Sequence, residues 1–153
     1  MSKELTEEQK KFHKDIAVKC FNKTWDYIDM NQRTTEDDQT MIQLAHTSRY
    51  HWGVVGKPDN WCVGDWQISR VYALLKQPEL SLKFAQSSLK ICLDNGIKDY
   101  QLASAYEGIA KAYSLIDKVK SREYIAKAKK AVENIKDPED KKLILSQIDE
   151  IKN

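Results

Sequence analysis

Glycine and proline are scarce in this 153-residue sequence, with 5 Gly and 3 Pro. A chain so poor in turn formers, and without runs of β-branched residues, argues against a sandwich or barrel of short strands and for an all-helical protein. Cysteine is equally thin. Cys20, Cys62 and Cys92 stand far apart, form no CxxC pair and are odd in number. That argues against a disulfide framework and for free thiols in a reducing compartment, each expected as a small buried hydrophobe. No stretch approaches the ~20 apolar residues of a membrane span. The opening MSKELTEEQKKFHKD has no apolar core of a secretory signal, so a cytoplasmic protein is expected. An excess of one charge is also missing. Against 25 Lys and Arg stand 23 Asp and Glu, a formal net charge of +2, with no field to draw in nucleic acid or anionic lipid. Gly-x-Gly-x-x-Gly, a P-loop, an RNP-like segment and a basic DNA-reading helix are absent as well.

What is present is helical periodicity. With 41% hydrophobic and 31% charged residues, the chain reads as one domain over residues 1–153. Its organising stretch is Ile68–Cys92, ISRVYALLKQPELSLKFAQSSLKIC. Ile68, Val71, Tyr72 and Leu75 lie on one helical face. Pro78 fits the first turn of a second helix, with Glu79 at its positive end. Leu82, Ala85, Ser88, Leu89 and Cys92 mark that helix's face. Small Ser69, Ser81, Ala85 and Ser88 permit close backbone approach, and Ser69, Ala85 and Ser88 sit opposite bulky Tyr72, Leu82 and Leu89. This order of sizes resembles a tetratricopeptide repeat, except at the turn, where Lys76-Gln77 replaces the family's usual Gly.

Elsewhere, Thr6 and Gln9 form a capping box for a first helix reaching Ile28. Thr34 or Thr35 caps a second, with a stripe of Met41, Leu44, Ala45, Ser48 and Trp52 that ends at Gly53–Pro58. Asp59 or Asn60 caps the third, where Gly64 suggests a close neighbouring backbone. Asn95-Gly96 ends the fourth. Asp99 opens the fifth, whose stripe is Leu102, Ala105, Tyr106, Ile109, Ala112, Tyr113 and Ile116. Asp117–Ser121 reads as a long turn before a sixth helix carrying Tyr124, Ile125, Ala128, Ala131, Val132 and Ile135. Asp137-Pro138 opens a capping helix with Leu143, Ile144, Ile148 and Ile151 on its apolar side. Ile68 and Ile109 play matching roles 41 positions apart (109 − 68), against a tetratricopeptide period of roughly 34. The expected architecture is all-α: about seven helices in antiparallel pairs, an irregular tetratricopeptide-like right-handed stack with a C-terminal cap.

The most unusual composition is Ala45–Trp52, AHTSRYHW. With NKTW (Asn22–Trp25), RTTEDD (Arg33–Asp38) and WQISRVYALL (Trp66–Leu75), it resembles a family of uncharacterised bacterial proteins of similar length, a likeness that implies no activity. His46 and His51 sit about 140° apart around a helix and cannot face one ion. Ser48 and His51 share a face, but no oxyanion loop or nucleophile elbow accompanies them. No metal, cofactor or catalytic residue is therefore assigned. In tetratricopeptide-like stacks the first helix of each unit lines the concave face. That resemblance implies a surface of Trp66, Arg70, Glu107 and Lys111 suited to a peptide or anion, with His46 and Arg49 as lesser candidates. The competing arrangement is a structural network pairing Arg70 with Glu107. The four tryptophans are core by default. The function expected is a non-catalytic module for a protein, a peptide or a second copy of itself. The alternative is a small enzyme using His46, His51, Arg70 and Glu107.

Overall fold

The computed structural model describes residues 3–152, which contain seven helices and no strand. They are α1 (Glu7–Ile28), α2 (Thr35–Val55), α3 (Pro58–Leu74), α4 (Pro78–Asp94), α5 (Tyr100–Tyr113), α6 (Lys118–Val132) and α7 (Pro138–Asp149).

Local chemistry sets most of the boundaries. Thr6 Oγ1 accepts from the Gln9 N–H at 3.1 Å, and Gln9 Oε1 accepts from the Thr6 N–H at 2.9 Å, closing the capping box of α1. Thr34 and Asp37 form the same reciprocal pair at the start of α2. Asp99, Asp117 and Asp137 cap α5, α6 and α7. Gly96, at φ 64°, gives α4 its left-handed stop.

Three junctions depart from the sequence reading. The helix α2 runs through Gly53 to Val55. The helix α3 starts at Pro58, which has no N–H to leave unpaired in a first turn. Asn60 works from inside that turn, its Oδ1 accepting the Lys57 N–H at 3.0 Å. The expected long turn at Asp117–Ser121 is instead a cap and the first turn of α6, with Asp117 Oδ1 accepting the Lys120 N–H at 3.1 Å. Ile116 falls in the short connection before it and is 55% exposed rather than core.

The helices pack as adjacent antiparallel pairs, α1 with α2, α3 with α4 and α5 with α6. Between pairs, α2 packs on α3 and α4 on α5 as successive helices; in addition α1 touches α3, α3 touches α5, and α5 touches α7, whereas α2, α4 and α6 do not touch one another. The odd-numbered helices therefore gather on one side of the stack, and α7 closes its end against α5 and α6.

Buried serines hold the pairs together. Ser48 on α2 donates to the Ala17 carbonyl of α1 at 2.7 Å. Ser88 on α4 donates to the Cys62 carbonyl of α3 at 2.7 Å, and Ser81 to that of Ser69 at 2.9 Å. Ser69 returns a bond to the Ser81 carbonyl at 2.8 Å. Ser121 on α6 donates to the Ala110 carbonyl of α5 at 2.9 Å. All five side chains are buried. The sequence reading set two of them, Ser69 and Ser88, with Ala85 and Ala110, opposite bulky residues. At Ser69 and Ser81 small meets small, and Tyr72, Leu82 and Leu89 stand half-buried. Ile68 and Ile109 are buried alike, as their matching positions imply. Ile144, Ile148 and Ile151 anchor α7, but Leu143 is 53% exposed. Cys62 and Cys92 are buried free thiols, whereas Cys20 is only half-buried.

The turn between α3 and α4 places Lys76 at φ 60°, where a Cβ is strained. Lys76→Gly is expected to raise stability by about 0.5–1 kcal/mol in urea unfolding. An unchanged or lower midpoint would mean that Lys76 makes contacts that outweigh the strain.

Candidate binding groove

A groove of about 500 Å³ crosses the odd-numbered helices. Its aromatic wall is Phe21 and Trp25 from α1, Trp66 from α3 and Tyr100 from α5. Val63, Leu143 and Ile144 add aliphatic surface, which explains the exposure of Leu143. Gly108 makes room for this wall. A Cβ there would stand 3.2 Å from Trp66 Cδ1, so a bare backbone lets the indole lie against α5.

Three residues of the lining carry a buried polar atom with no hydrogen-bond partner, Trp66 Nε1, Gln101 Oε1 and Gln147 Oε1; outside the lining, Gln67 Oε1 and Glu107 Oε2 are also without one. The three lining residues are 6%, 8% and 6% exposed. Buried polar groups in folded proteins are almost always paired, and an unpaired one costs about 1–3 kcal/mol. Asp29, just past α1, and Asp140 on α7 supply the only charged groups of the lining.

Next to the groove, Arg70 ties four elements together. Its guanidinium lies 5.4 Å from the Trp25 ring centroid and 5.7 Å from that of Trp66. It reaches Glu107 on α5 at 3.4 Å and Glu150, after α7, at 3.3 Å. Burial raises the Glu107 carboxyl above its ordinary range, opposed by the charges of Arg70 and Lys111. The Trp66 indole N–H also favours the carboxylate, although its alignment makes no hydrogen bond. Burial, together with the Arg70 charge, lowers Lys111. Trp66, Arg70, Glu107 and Lys111 thus form one cluster, in which Arg70 already has its partners.

The remaining candidates lie elsewhere. His46 Nε2 is 3.0 Å from the Tyr72 hydroxyl, with its ring against Phe84, and burial lowers its pKa. Arg49 Nε donates to Asp65 at 2.8 Å, and Asp65 also accepts from Ser87 on α4 at 2.7 Å. This clamp explains Gly64, since a Cβ there would be 2.8 Å from Arg49 Cδ; a side chain more than a backbone occupies the space. His51 pairs with His13 of α1, Nδ1 to Nδ1 at 2.8 Å. His46 and His51 therefore have separate partners, and the Ser48 hydroxyl faces the Ala17 carbonyl rather than His51. Among the described residues no three of His, Cys, Asp and Glu stand together as metal ligands.

The sequence reading left Trp25 in the core and did not single out Glu150, Gln101 or Gln147. One signal was available: Gln147 interrupts the apolar series Ile144, Ile148, Ile151, and an amide in such a stripe needs a reason. Comparison of the chain with protein-family models, curated proteins and solved structures finds no match.

Two outcomes are expected. Arg49→Met strands the buried Asp65 carboxylate and lowers stability by about 2–4 kcal/mol in urea. A loss within error would show that Ser87 alone satisfies Asp65. The raised pKa of Glu107 adds a pH signature. A carboxyl raised in the folded state adds stability that is fully present below its unfolded pKa and is lost as pH rises through its folded pKa. Glu107→Gln lacks this term. The stability difference, wild type minus variant, must therefore shift toward wild type as pH falls from neutral to about 4. A shift in the opposite sense would mean that Arg70 lowers the carboxyl more than burial raises it.

Proposed function

We propose that this chain is a non-catalytic interaction module, a tetratricopeptide-like stack of the bacterial cytosol that binds a protein or peptide segment in the groove of α1, α3, α5 and α7. The observation that carries the reading is an apolar groove lined by Gln101 and Gln147, whose buried amide oxygens have no partner. Two amides, each with a donor and an acceptor, offer what a peptide main chain needs, while the aromatic wall offers surface for its side chains. The gathering of the odd-numbered helices supports the likeness to a stack with a concave inner face. No helix among the described residues is long and apolar enough to cross a membrane.

The test is Gln101→Leu/Gln147→Leu. Removing buried, unpaired amides should leave stability equal or higher, because these groups serve the ligand and not the fold. A random display library of short peptides is selected on wild type and counter-screened on this variant. Peptides binding wild type at least about tenfold more tightly are expected. A library yielding no peptide that prefers wild type, with the variant folded, would contradict the proposal.

A further inference from the structure

Resting on that reading, the charge of the groove identifies its occupant more closely. The lining contains Asp29 and Asp140 but no Lys or Arg, although the whole chain carries more basic than acidic residues. The recess that continues past Tyr100, Gln101 and Asp140 adds Asp59, Asp99 and Asp137 against Lys98 and Lys136. Acidic groups therefore outnumber basic ones in both parts of the surface.

The arginine beside the groove is already engaged. Arg70 is paired with Glu107 and Glu150, lies against the rings of Trp25 and Trp66, and has a side chain only 13% exposed. In the groove itself an acidic peptide would meet two carboxylates and no cation, and in the recess Lys98 and Lys136 are outnumbered by carboxylates. A basic peptide would meet carboxylates at Asp29 and Asp140, and the Tyr100 ring of the lining can receive an alkylammonium or guanidinium.

The unpartnered atoms specify the rest. Gln101 Oε1 and Gln147 Oε1 require donors, and the amide N–H groups beside them take acceptors. A peptide main chain supplies both kinds at short intervals. Rotating either glutamine amide exchanges acceptor for donor without changing this match. Phe21, Val63, Leu143 and Ile144 leave room for an apolar side chain between the polar contacts.

We infer that the groove binds a peptide segment combining an apolar side chain with a neighbouring Lys or Arg. Gln101 and Gln147 hold its main chain, and Asp29 and Asp140 take its cation. This occupant differs from the peptide or anion that Arg70 suggests when the sequence is read alone.

The peptides selected on wild type are sequenced, and the most enriched is synthesised together with a counterpart in which every Lys and Arg is replaced by Glu. Binding is followed by fluorescence anisotropy at low and high salt, on wild type and on Asp29→Asn/Asp140→Asn. Asp29 is exposed and Asp140 partly so, and circular dichroism verifies that the double variant folds. The expected result is enrichment of basic and apolar residues. The Glu counterpart should lose at least about tenfold in affinity. The double variant should lose about tenfold and show a flatter salt dependence. Groove-dependent peptides that are acidic or indifferent to charge would overturn this inference while leaving the interaction module intact, as would unchanged binding by the Asp variant. A library with no groove-dependent peptide would overturn both.

Discussion

A buried serine hydroxyl that donates across a helix pair to a main-chain carbonyl is the contact on which this architecture depends. Ser48, Ser81, Ser88 and Ser121 each make it, so every one of the three pairs contains at least one such bond. A helix carbonyl that already accepts its own helical N–H keeps a second lone pair, so the added bond needs no break in the ladder. The geometry has a steric condition. Only a small residue leaves the facing backbone within reach, and the hydroxyl then satisfies itself in a place that water does not enter. Close pairs bring the odd-numbered helices into mutual contact, and their shared side is where the groove forms.

The same economy of size explains the two glycines that matter inside helices. Gly108 gives Trp66 its place against α5, and Gly64 gives Arg49 its path to Asp65. One clearance shapes the groove, and the other joins α2 to α3 and α4 through a buried charge. Arg70 does similar work on the opposite side, with two aromatic faces and two carboxylates drawn from α1, α3, α5 and the end of α7. The unpaired amide oxygens of Gln101 and Gln147 belong to the groove lining, whereas two other unpaired buried oxygens, Gln67 Oε1 and Glu107 Oε2, lie outside it.

Much of the helix layout was readable because its causes are local. Thr6 with Gln9, Asp99, Asp137 and Asn95-Gly96 announce their ends within a few residues. The cluster of Trp66, Arg70, Glu107 and Lys111 was readable for a different reason. The matching of Ile68 with Ile109 places α3 and α5 in register, so residues on corresponding faces meet. Trp25 and Glu150 join that cluster only through the third dimension, and nothing near them in sequence points to Arg70. Arg49 and His46 looked like site residues because charged and aromatic groups crowd one segment; the fold turns them into packing contacts with Asp65 and Tyr72. The small stripe was visible as size, whereas the carbonyl that each serine reaches was not.

Ser88 gives the most direct measure of the close-contact account, because its hydroxyl has one partner, the Cys62 carbonyl, at 2.7 Å. Urea unfolding of Ser88→Ala and Ser88→Val separates the bond from the clearance. The account predicts a loss of about 1 kcal/mol for alanine, from the hydrogen bond alone, and about 2–4 kcal/mol for valine, whose extra methyl must push α3 and α4 apart. Valine as stable as wild type would contradict it, since the pair would then have space that the serine contacts rule out.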